Sequence, residues 1–198
     1  MQLLDGKKTA EDIKSEIAAE VQKIKNNGGK VPHLAAVIVG SDGASLTYVG
    51  SKHIDEQKIL MAIDPNKDVD GFHPANFGKM ALEMETFLPA TPFGIMQLLE
   101  RYKVETSGKH TVVIGRSHIV GRPMSILMSR KGYPGDSTVT LTHSRTKNIE
   151  EFTKNADIII TALGVPNYLK ADMVKDGVVV IDVGITRVAD ASHPKGYV

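Results

Sequence analysis

The chain has 198 residues, 41% of them hydrophobic, which is enough for one large or two small domains with a buried core. Lysine and arginine number 24 against 23 aspartate and glutamate residues, so the charge balance gives no sign of nucleic acid or an anionic membrane as partner. Because the sequence contains no cysteine, disulfides, thiolate nucleophiles and cysteine metal sites are excluded. The apolar runs have the length of strands and the N-terminus lacks an apolar signal sequence, so we expect a soluble, cytoplasmic protein.

The N-terminal half contains two helical patterns and one apolar run. Apolar residues recur at helical spacing through residues 8–26, which predicts an amphipathic helix that ends at NNGGK. The run HLAAVIVG at 33–40 is apolar throughout and closes with glycine, as expected of a strand buried on both faces. The segment PATPFGIMQLLERY at 89–102 predicts a second helix, with Thr91 as N-cap and Pro92 at the first helical position.

The C-terminal half alternates between strand and helix patterns. In chain order these are strand TVVIG, helix GRPMSILMSR, strand TVTLTHS, helix NIEEFTKNA, strand DIIITALG and strand VVVIDVGI. Such alternation is typical of βαβ units around a parallel sheet. We therefore predict an α/β fold of two lobes, with domains at residues 1–90 and 91–198.

The glycine-containing loop GRSHIVGRP (115–123) follows a predicted strand and opens a helix, which is the setting of a dinucleotide-binding loop. Gly115 would permit a tight turn, and Gly121 would let the helix pack on the sheet. The helix N-terminus would offer free N–H groups and a partial positive charge to a pyrophosphate. The spacing is not G-x-G-x-x-G, so an ordinary glycine-rich turn remains the alternative.

The next strand ends in His-Ser-Arg-Thr-Lys without an acidic residue. In NAD-binding folds an acid near this point grips the ribose 2′-hydroxyl, and it would repel a 2′-phosphate. Ser144 and Arg145 could instead hydrogen-bond and neutralise that phosphate, which favours NADP over NAD. The alternative is a solvated basic turn.

Two later strands end in ALG (162–164) and DVGI (182–185), at the same predicted sheet edge as the glycine loop. The carboxyl ends of parallel strands are where ligands bind in open α/β sheets. This edge is therefore the predicted cofactor site.

The segment IDPNKDVDGFHP (63–74) is rich in aspartate, but neither possible register of an EF-hand loop supplies the required glycine and glutamate. The seven histidines show no zinc-ligand spacing, so we expect no metal site. Two interpretations remain for the aspartates. They form a structural loop, or one of them, best Asp70 before Gly71, binds the N–H groups of a ligand.

Tyr48 and Lys52 lie four residues apart in TYVGSKHIDEQ, so on a helix their side chains can meet. Alone, such a pair is more typical of a solvated face than of a site. The segments YVGSK, EQKI, DPNKDVDGFHP, PATPFG, GRSHIVGRPMS, THSRT and VVVIDVGITRV, however, occur in this order across the whole chain. Together they resemble the bifunctional methylenetetrahydrofolate dehydrogenase/methenyltetrahydrofolate cyclohydrolases.

The resemblance implies an N-terminal folate-binding lobe, a C-terminal Rossmann-type NADP-binding lobe, and a site in the cleft between them. It implies that Lys52 is the catalytic lysine, that Tyr48 packs on the folate and that Asp70 binds the pterin ring. It further implies tetrahydrofolate derivatives as substrates and a homodimer formed through the Rossmann lobes. The implied cofactor contacts are Gly115, Arg116, Ser117, Ser144 and Ile185, to which the residue chemistry adds Arg145.

The sequence departs from the family pattern after Lys52. The family has a strand, a helix and a VQLPLP-like segment at this point, whereas here His53 follows directly. A PGGVGPMT-like loop is also missing after Val198. We expect that Lys52 and His53 are separated in space by more than the about 3.8 Å between consecutive Cα atoms, and that the complete chain continues past Val198.

Two other functions stay open. A genuine deletion after Lys52 would remove an internal strand and favour an inactive NADP-binding module. A different Rossmann dehydrogenase of the shikimate-dehydrogenase type is the other alternative, although DVDGFHP argues against it.

Overall fold

The computed structural model describes residues 2–35 and 56–185, which divide into two compact units on either side of the Ala62–Ile63 bond. The first unit contains helices α1 (Gly6–Asn26) and α2 (Glu56–Ala62). Helix α1 begins where Oδ1 of Asp5 accepts a hydrogen bond from Lys8 N at 2.9 Å, a side-chain N-cap. The helix predicted at 8–26 is thereby confirmed.

The strand predicted at 33–40 falls mostly outside the described residues, and residues 33–35 belong to no regular element. Among the described helices, none is both long and apolar enough to cross a bilayer.

The second unit is a parallel α/β layer structure. Its elements are α3 (Pro74–Ala81), α4 (Ala90–Arg101), β1 (His110–Ile114), α5 (Gly121–Ser129), β2 (Thr138–Thr142), α6 (Ile149–Thr153), β3 (Ile158–Thr161), a 3-10 turn (Ala171–Met173) and β4 (Val179–Asp182). The strands form one sheet in the order β2-β1-β3-β4, and every pair is parallel. The predicted alternation of strands and helices is confirmed.

The strand order reverses between β1 and β3. From β1 the chain passes through α5 to β2 on one side, and then through α6 back to β3 on the other side. A crevice opens at such a switch point, outside the carboxyl ends of the strands. The register pairs Ile114 with Thr142 on β2 and with Thr161 on β3, so these three strands end at the same level.

Both faces of the sheet are covered, because successive strand residues point to opposite sides. One face packs against α3, α4 and α5, and the other against α6 and the segments on either side of the 3-10 turn. The first cluster comprises Met80, Ile95, Met96, Leu99, Val113, Met124, Leu127, Met128, Ile158, Ile160 and Ile181; the second is built on Val112, Ile114, Ala156 and Ile159. Strands buried on both sides read as continuous apolar runs, which is why TVVIG and DIIIT were recognisable in the sequence.

Helix α4 begins earlier than predicted. Its N-cap is Pro89, not Thr91, and Phe93 N donates to Pro89 O at 2.9 Å. Pro92 therefore stands at the third helical position rather than the first. That position tolerates proline because the first turn of a helix lacks intrahelical acceptors.

Helix α3 was not predicted, and it packs with α5 in the second unit. The structure thus places residues 63–90 in the same unit as the parallel sheet. The division into functional domains at residues 1–90 and 91–198 stays a prediction.

Candidate functional site

The loop between β1 and α5 is packed so closely that two of its glycines have no room for a side chain. Gly115 has φ +113°, and a Cβ atom there would meet Ala162 O at 3.1 Å. A Cβ atom on Gly121 would overlap the carbonyl oxygen of Gly115. The first glycine lets the backbone turn at the switch point, and the second lets α5 start against the end of β1.

The first turn of α5 is capped from within the loop. Ser117 Oγ accepts hydrogen bonds from Val120 N at 3.1 Å and Gly121 N at 3.2 Å. Ser117 O accepts another from Arg122 N at 2.9 Å, and Pro123 has no N–H group. The expectation that the helix itself offers free N–H groups to a pyrophosphate is therefore wrong.

The available donors lie one step earlier, in the loop. The backbone N–H groups of residues 116–119 have no acceptor within the described part of the chain, and all four residues are exposed. Consecutive N–H groups of this kind can form an anion-binding concavity, next to the positive end of α5. The loop therefore fits a pyrophosphate, with Arg116 exposed beside it and the Ser117 hydroxyl hydrogen still able to donate.

The turn after β2 lies beside this loop, since Gly115 N donates to Thr142 O at 3.0 Å and extends the β1–β2 pairing. Ser144 and Arg145 follow and are both exposed. The next acidic residues belong to α6, where Glu151 accepts from Asn148 Nδ2 at 2.9 Å. A phosphate at this turn would meet a cation and a hydroxyl rather than a carboxylate.

A hydrogen-bonded pair joins the carboxyl ends of β3 and β4. Thr161 Oγ1 donates to Asp182 Oδ1 at 2.6 Å, and the same oxygen accepts from Gly184 N at 2.9 Å. A side chain on Gly184 would overlap Leu163 O, so the chain bends closely over the end of β3. These contacts set the backbone that carries Ile185, which is 76% exposed.

Sequence reasoning missed the Thr161–Asp182 pair. The available signal was a carboxylate that ends an otherwise apolar strand, but its partner depends on the β3–β4 register. A groove of about 210 Å³ opens beside the pair, lined by Thr161, Leu163, Val165, Asn167, Tyr168, Leu169, Val180 and Asp182.

The aspartates of the acidic loop have different surroundings. Asp64 Oδ1 accepts from Asn66 N at 2.9 Å and caps a surface turn. Asp68 is buried, and its Oδ2 accepts from His73 N at 2.8 Å and from Asn76 Nδ2 at 3.0 Å. Asp68 therefore closes the loop onto the start of α3 and has a structural role.

Asp70 is the exposed aspartate next to that closed loop, and its side chain makes no hydrogen bond within the part of the chain that the structure describes. The following Gly71 has φ +66°, and a Cβ atom there would approach Phe87 O to 2.7 Å. The loop is thus fixed on both sides of Asp70 while its carboxylate faces solvent. Such a carboxylate can accept hydrogen bonds from a ligand.

Asp157, a carboxylate with a lowered pKa, lies away from this loop, at the amino edge of the sheet. Lys175 Nζ donates to Asp157 Oδ1 at 2.6 Å, and His110 N donates to Asp157 Oδ2 at 2.8 Å. These two bonds hold the pKa of the Asp157 carboxyl below its usual range. Nearby, the hydrogen bond from Lys109 to Glu105 raises the pKa of the lysine. Both groups precede strands, so they face away from the candidate site.

Tyr48, Lys52 and His53 lie outside the described residues, as does Val198. The expected separation between Lys52 and His53 lies there too. Within residues 2–35 and 56–185, no group of three or more His, Cys, Asp or Glu side chains could hold a metal ion.

Two family models match the chain. Residues 89–198 match the NAD(P)-binding domain of tetrahydrofolate dehydrogenase/cyclohydrolase, and residues 4–53 match its catalytic domain. The second match ends at His53, directly after Lys52.

Solved structures similar to this chain include methylenetetrahydrofolate dehydrogenase/cyclohydrolases. The bifunctional enzyme FolD, a methylenetetrahydrofolate dehydrogenase/cyclohydrolase of Campylobacter jejuni, is 34% identical with a TM-score of 0.82, covering 100% of this chain and 85% of that one. The Trypanosoma brucei enzyme, solved with NADP cofactor and an inhibitor, is 38% identical with a TM-score of 0.68, covering 74% of this chain and 49% of that one.

Among curated relatives, the bifunctional protein FolD of Flavobacterium johnsoniae is 69% identical, covering 100% of this chain and 84% of its own length. The alignment runs over 247 residues, which is 49 more than the 198 of this chain, so the relative has internal residues without a counterpart here. A missing internal segment is thereby supported, while its position after Lys52 stays a prediction. The chain belongs to the tetrahydrofolate dehydrogenase/cyclohydrolase family.

Proposed function

We propose that this chain oxidises 5,10-methylenetetrahydrofolate to 5,10-methenyltetrahydrofolate with NADP, and hydrolyses the product to 10-formyltetrahydrofolate. The observation that carries the proposal is the similarity of all 198 residues of this chain to a bifunctional FolD at 69% identity. The match to the family's NAD(P)-binding domain and the similarity to an enzyme solved with NADP support the cofactor.

The carboxyl edge of the sheet would hold the cofactor. The loop amides of residues 116–119 would bind the pyrophosphate, beside Gly115, and Ser144 with Arg145 would bind the 2′-phosphate. Ile185, exposed on the backbone fixed by Asp182, would pack on the nicotinamide end. When bound, NADP supplies the acceptor for a hydride.

The oxidation step makes modest demands on acid–base residues. The carbon that loses hydride lies between two nitrogens, whose lone pairs stabilise the resulting cation. Alignment of that carbon is therefore the main requirement. Asp70 would contribute by accepting hydrogen bonds from the pterin ring, because its carboxylate is exposed on a fixed loop.

The hydrolysis step needs a proton carrier. Water adds to the methenyl carbon, and the added oxygen loses both of its protons. One of them moves to N5 as the bond between N5 and that carbon breaks, which leaves the formyl group on N10, and the other is released. Lys52 would relay these protons, and Tyr48 would orient the lysine and cover the folate ring. The match of residues 4–53 to the family's catalytic domain, which includes both residues, supports these two proposed roles.

Replacement of Lys52 by methionine tests this function. Methionine keeps much of the side-chain bulk but carries no proton, so hydrolysis of methenyltetrahydrofolate should fall by about 100-fold or more. NADPH production from methylenetetrahydrofolate should fall less. Lys30→Met, at an exposed position after α1, is the matched control and should leave both rates unchanged. Unchanged hydrolysis in Lys52→Met would remove this lysine from the mechanism.

The second candidate is an inactive NADP-binding module. The 49 residues that the Flavobacterium relative has in excess favour it, because a catalytic lobe without an internal strand could not close around the folate. The same assay separates the two functions. NADP binding without any turnover would favour the module, whereas NADPH production would exclude it.

A homodimer through the Rossmann lobes and a cytoplasmic location complete the proposal. Sedimentation analysis of the purified chain and fractionation of the cells that make it test these two points.

A further inference from the structure

We propose that His143 and Thr146 are positioning residues for recognition of the 2′-phosphate of NADP, an inference that rests on the proposed function. They begin and end the turn that carries Ser144 and Arg145. Neither side chain is needed as a ligand itself. Each holds the backbone of the turn, so that the two exposed side chains between them face the cofactor from a fixed base.

Three hydrogen bonds close the turn. Thr146 N donates to His143 O at 2.8 Å, and His143 N donates to Thr146 Oγ1 at 2.9 Å. His143 Nδ1 accepts from Arg145 N at 3.1 Å. As an acceptor, Nδ1 carries no hydrogen, so the ring is the neutral tautomer protonated on Nε2. The ring of His143 therefore holds the amide of Arg145, and the hydroxyl oxygen of Thr146 holds the amide of His143.

The turn stands where the ribose of a dinucleotide would lie. β1 and β2 are adjacent and in register, and their pairing continues to the bond from Gly115 N to Thr142 O at 3.0 Å. A pyrophosphate on the loop after β1 directs its adenosine ribose towards the end of the neighbouring strand. His143 is the first residue past that end.

Local charge also suits a phosphate. The turn contributes Arg145, and the first carboxylates along the chain are on α6. There Glu150 lies 3.8 Å from Lys154 Nζ, and Glu151 accepts from Asn148 Nδ2 at 2.9 Å. With those acids engaged on their own helix, the exposed arginine can direct its donors at a ligand.

A fixed turn strengthens binding because less side-chain and backbone freedom is lost when the phosphate binds. The advantage applies only to ligands that carry the 2′-phosphate. A purely structural turn would instead affect all nucleotides, or none. Selectivity between phosphorylated and unphosphorylated probes is therefore the readout that separates the two roles.

The experiment uses the full chain and two probes, adenosine 2′,5′-bisphosphate and adenosine 5′-monophosphate, measured by titration calorimetry. His143→Ala and Thr146→Val should each lower the affinity for the bisphosphate by about tenfold, which is the scale expected when one hydrogen bond that orders the turn is lost. Binding of the monophosphate should change less than about twofold, within the scatter expected for a lost contact that it does not use.

Two conservative variants serve as matched controls. Asparagine at position 143 places Oδ1 where the histidine has Nδ1 and accepts the same N–H two residues on, as in an Asx-turn. Serine at position 146 retains the hydroxyl. Both His143→Asn and Thr146→Ser should restore the preference for the bisphosphate. Thermal unfolding of each variant shows whether it is folded, and the two positions provide independent pairs.

Two outcomes would overturn the inference. In His143→Ala and Thr146→Val, the affinities for both probes could fall equally, or neither affinity could fall. If His143→Asn behaved like His143→Ala, the acceptor role of the ring would be wrong. An unmodified chain that binds both probes equally would refute NADP recognition and the positioning role together. A normal preference that survives both His143→Ala and Thr146→Val would refute the positioning role alone.

Discussion

The two edges of the parallel sheet are built differently. At the amino edge, side chains bond across the gaps between strands: Asp157 accepts from His110 N at 2.8 Å, and Thr106 Oγ1 accepts from Gly135 N at 3.0 Å. Ser137 Oγ adds a bond to Thr106 O at 2.9 Å, and both of these residues are buried.

At the carboxyl edge, glycines replace side chains where the backbones come closest. The polar groups there either hold a turn, as Ser117 and Asp182 do, or remain exposed, as Arg116 and Arg145 do. The side-chain hydrogen bonds of the amino edge stabilise the fold, whereas the carboxyl edge keeps hydrogen-bond donors available for a ligand. Substitutions of polar side chains should therefore mainly change stability at the amino edge and ligand binding at the carboxyl edge, whereas substitutions of the closely packed glycines at the carboxyl edge should change both.

The largest expected effect breaks the carboxyl edge. Gly121→Ala places a Cβ atom onto Gly115 O, so α5 must move from the end of β1. We expect a loss of about 3 kcal/mol or more in the free energy of unfolding, the upper range for overpacking, and NADP binding below detection. Urea unfolding and calorimetry measure the two effects.

Gly94→Ala is the matched control for that substitution. Gly94 is an exposed residue within α4, where an added Cβ atom meets nothing within 4 Å. The variant should be roughly 0.5–1 kcal/mol more stable, because alanine loses less backbone entropy in a helix. Destabilisation by both alanines would mean that glycine content, not packing at the switch point, explains the first result.

The second effect is on cofactor choice. Arg145→Glu replaces the exposed cation of the β2 turn with an anion, so the ratio of NADP to NAD affinity should fall by about 30-fold, or about 2 kcal/mol. Lys103→Glu makes the same charge change in the exposed turn after α4 and should leave the ratio unaltered. Equal affinity for the two cofactors in the unmodified chain would contradict the assignment of this turn.

The third effect concerns stability near the amino edge, at a buried hydroxyl in the first half of β1. Thr111 Oγ1 is buried without a hydrogen-bond partner in the described structure. Thr111→Val removes that unsatisfied hydroxyl and should stabilise the fold by about 1 kcal/mol. Thr153→Val, where the hydroxyl donates to Met173 O at 2.6 Å, should destabilise it by a similar amount. The opposite signs, read from urea unfolding, are the prediction.

The smallest effect concerns acid stability. The bonds from Lys175 and His110 keep the pKa of Asp157 below its ordinary value of 3.8, so its ionised form stabilises the fold above that pH. The contribution is lost as the pH falls through the folded-state pKa. The side chain is 35% exposed, so the gain is below about 1 kcal/mol. Asp157→Asn should narrow the stability difference between about pH 7 and pH 3 without changing NADP affinity.

The sequence predicted the parallel sheet well because its strands are buried on both faces. Continuous apolar runs, closed by glycine or flanked by helical patterns, mark such strands without knowledge of their neighbours. Helix α3 was missed although Pro74 stands at its first position and His73 caps it, with Nδ1 accepting from Ala75 N at 3.1 Å. Histidine is an unusual N-cap, so the usual start signal was absent.

The details of the site were harder to predict from the sequence than the sheet. They depend on contacts between distant segments of the chain, or on one atom such as Nδ1 of His143. The bond from Thr161 to Asp182 requires the β3–β4 register. The different roles of Asp68 and Asp70 can be assigned only once it is known that the side chain of Asn76 donates a hydrogen bond to Asp68. Composition favours neither aspartate, and only the fold shows which one is enclosed. The roles of Tyr48 and Lys52 stay predictions.

The capped start of α5 has a consequence for hydrogen exchange. The amide of Gly115 is bonded to Thr142 O, and those of Val120 and Gly121 to Ser117, so all three should exchange slowly. The amides of residues 116–119 have no such protection in the described structure and should exchange fast. A bound pyrophosphate would then leave a footprint of four slowed amides between protected neighbours, visible by mass spectrometry without any turnover.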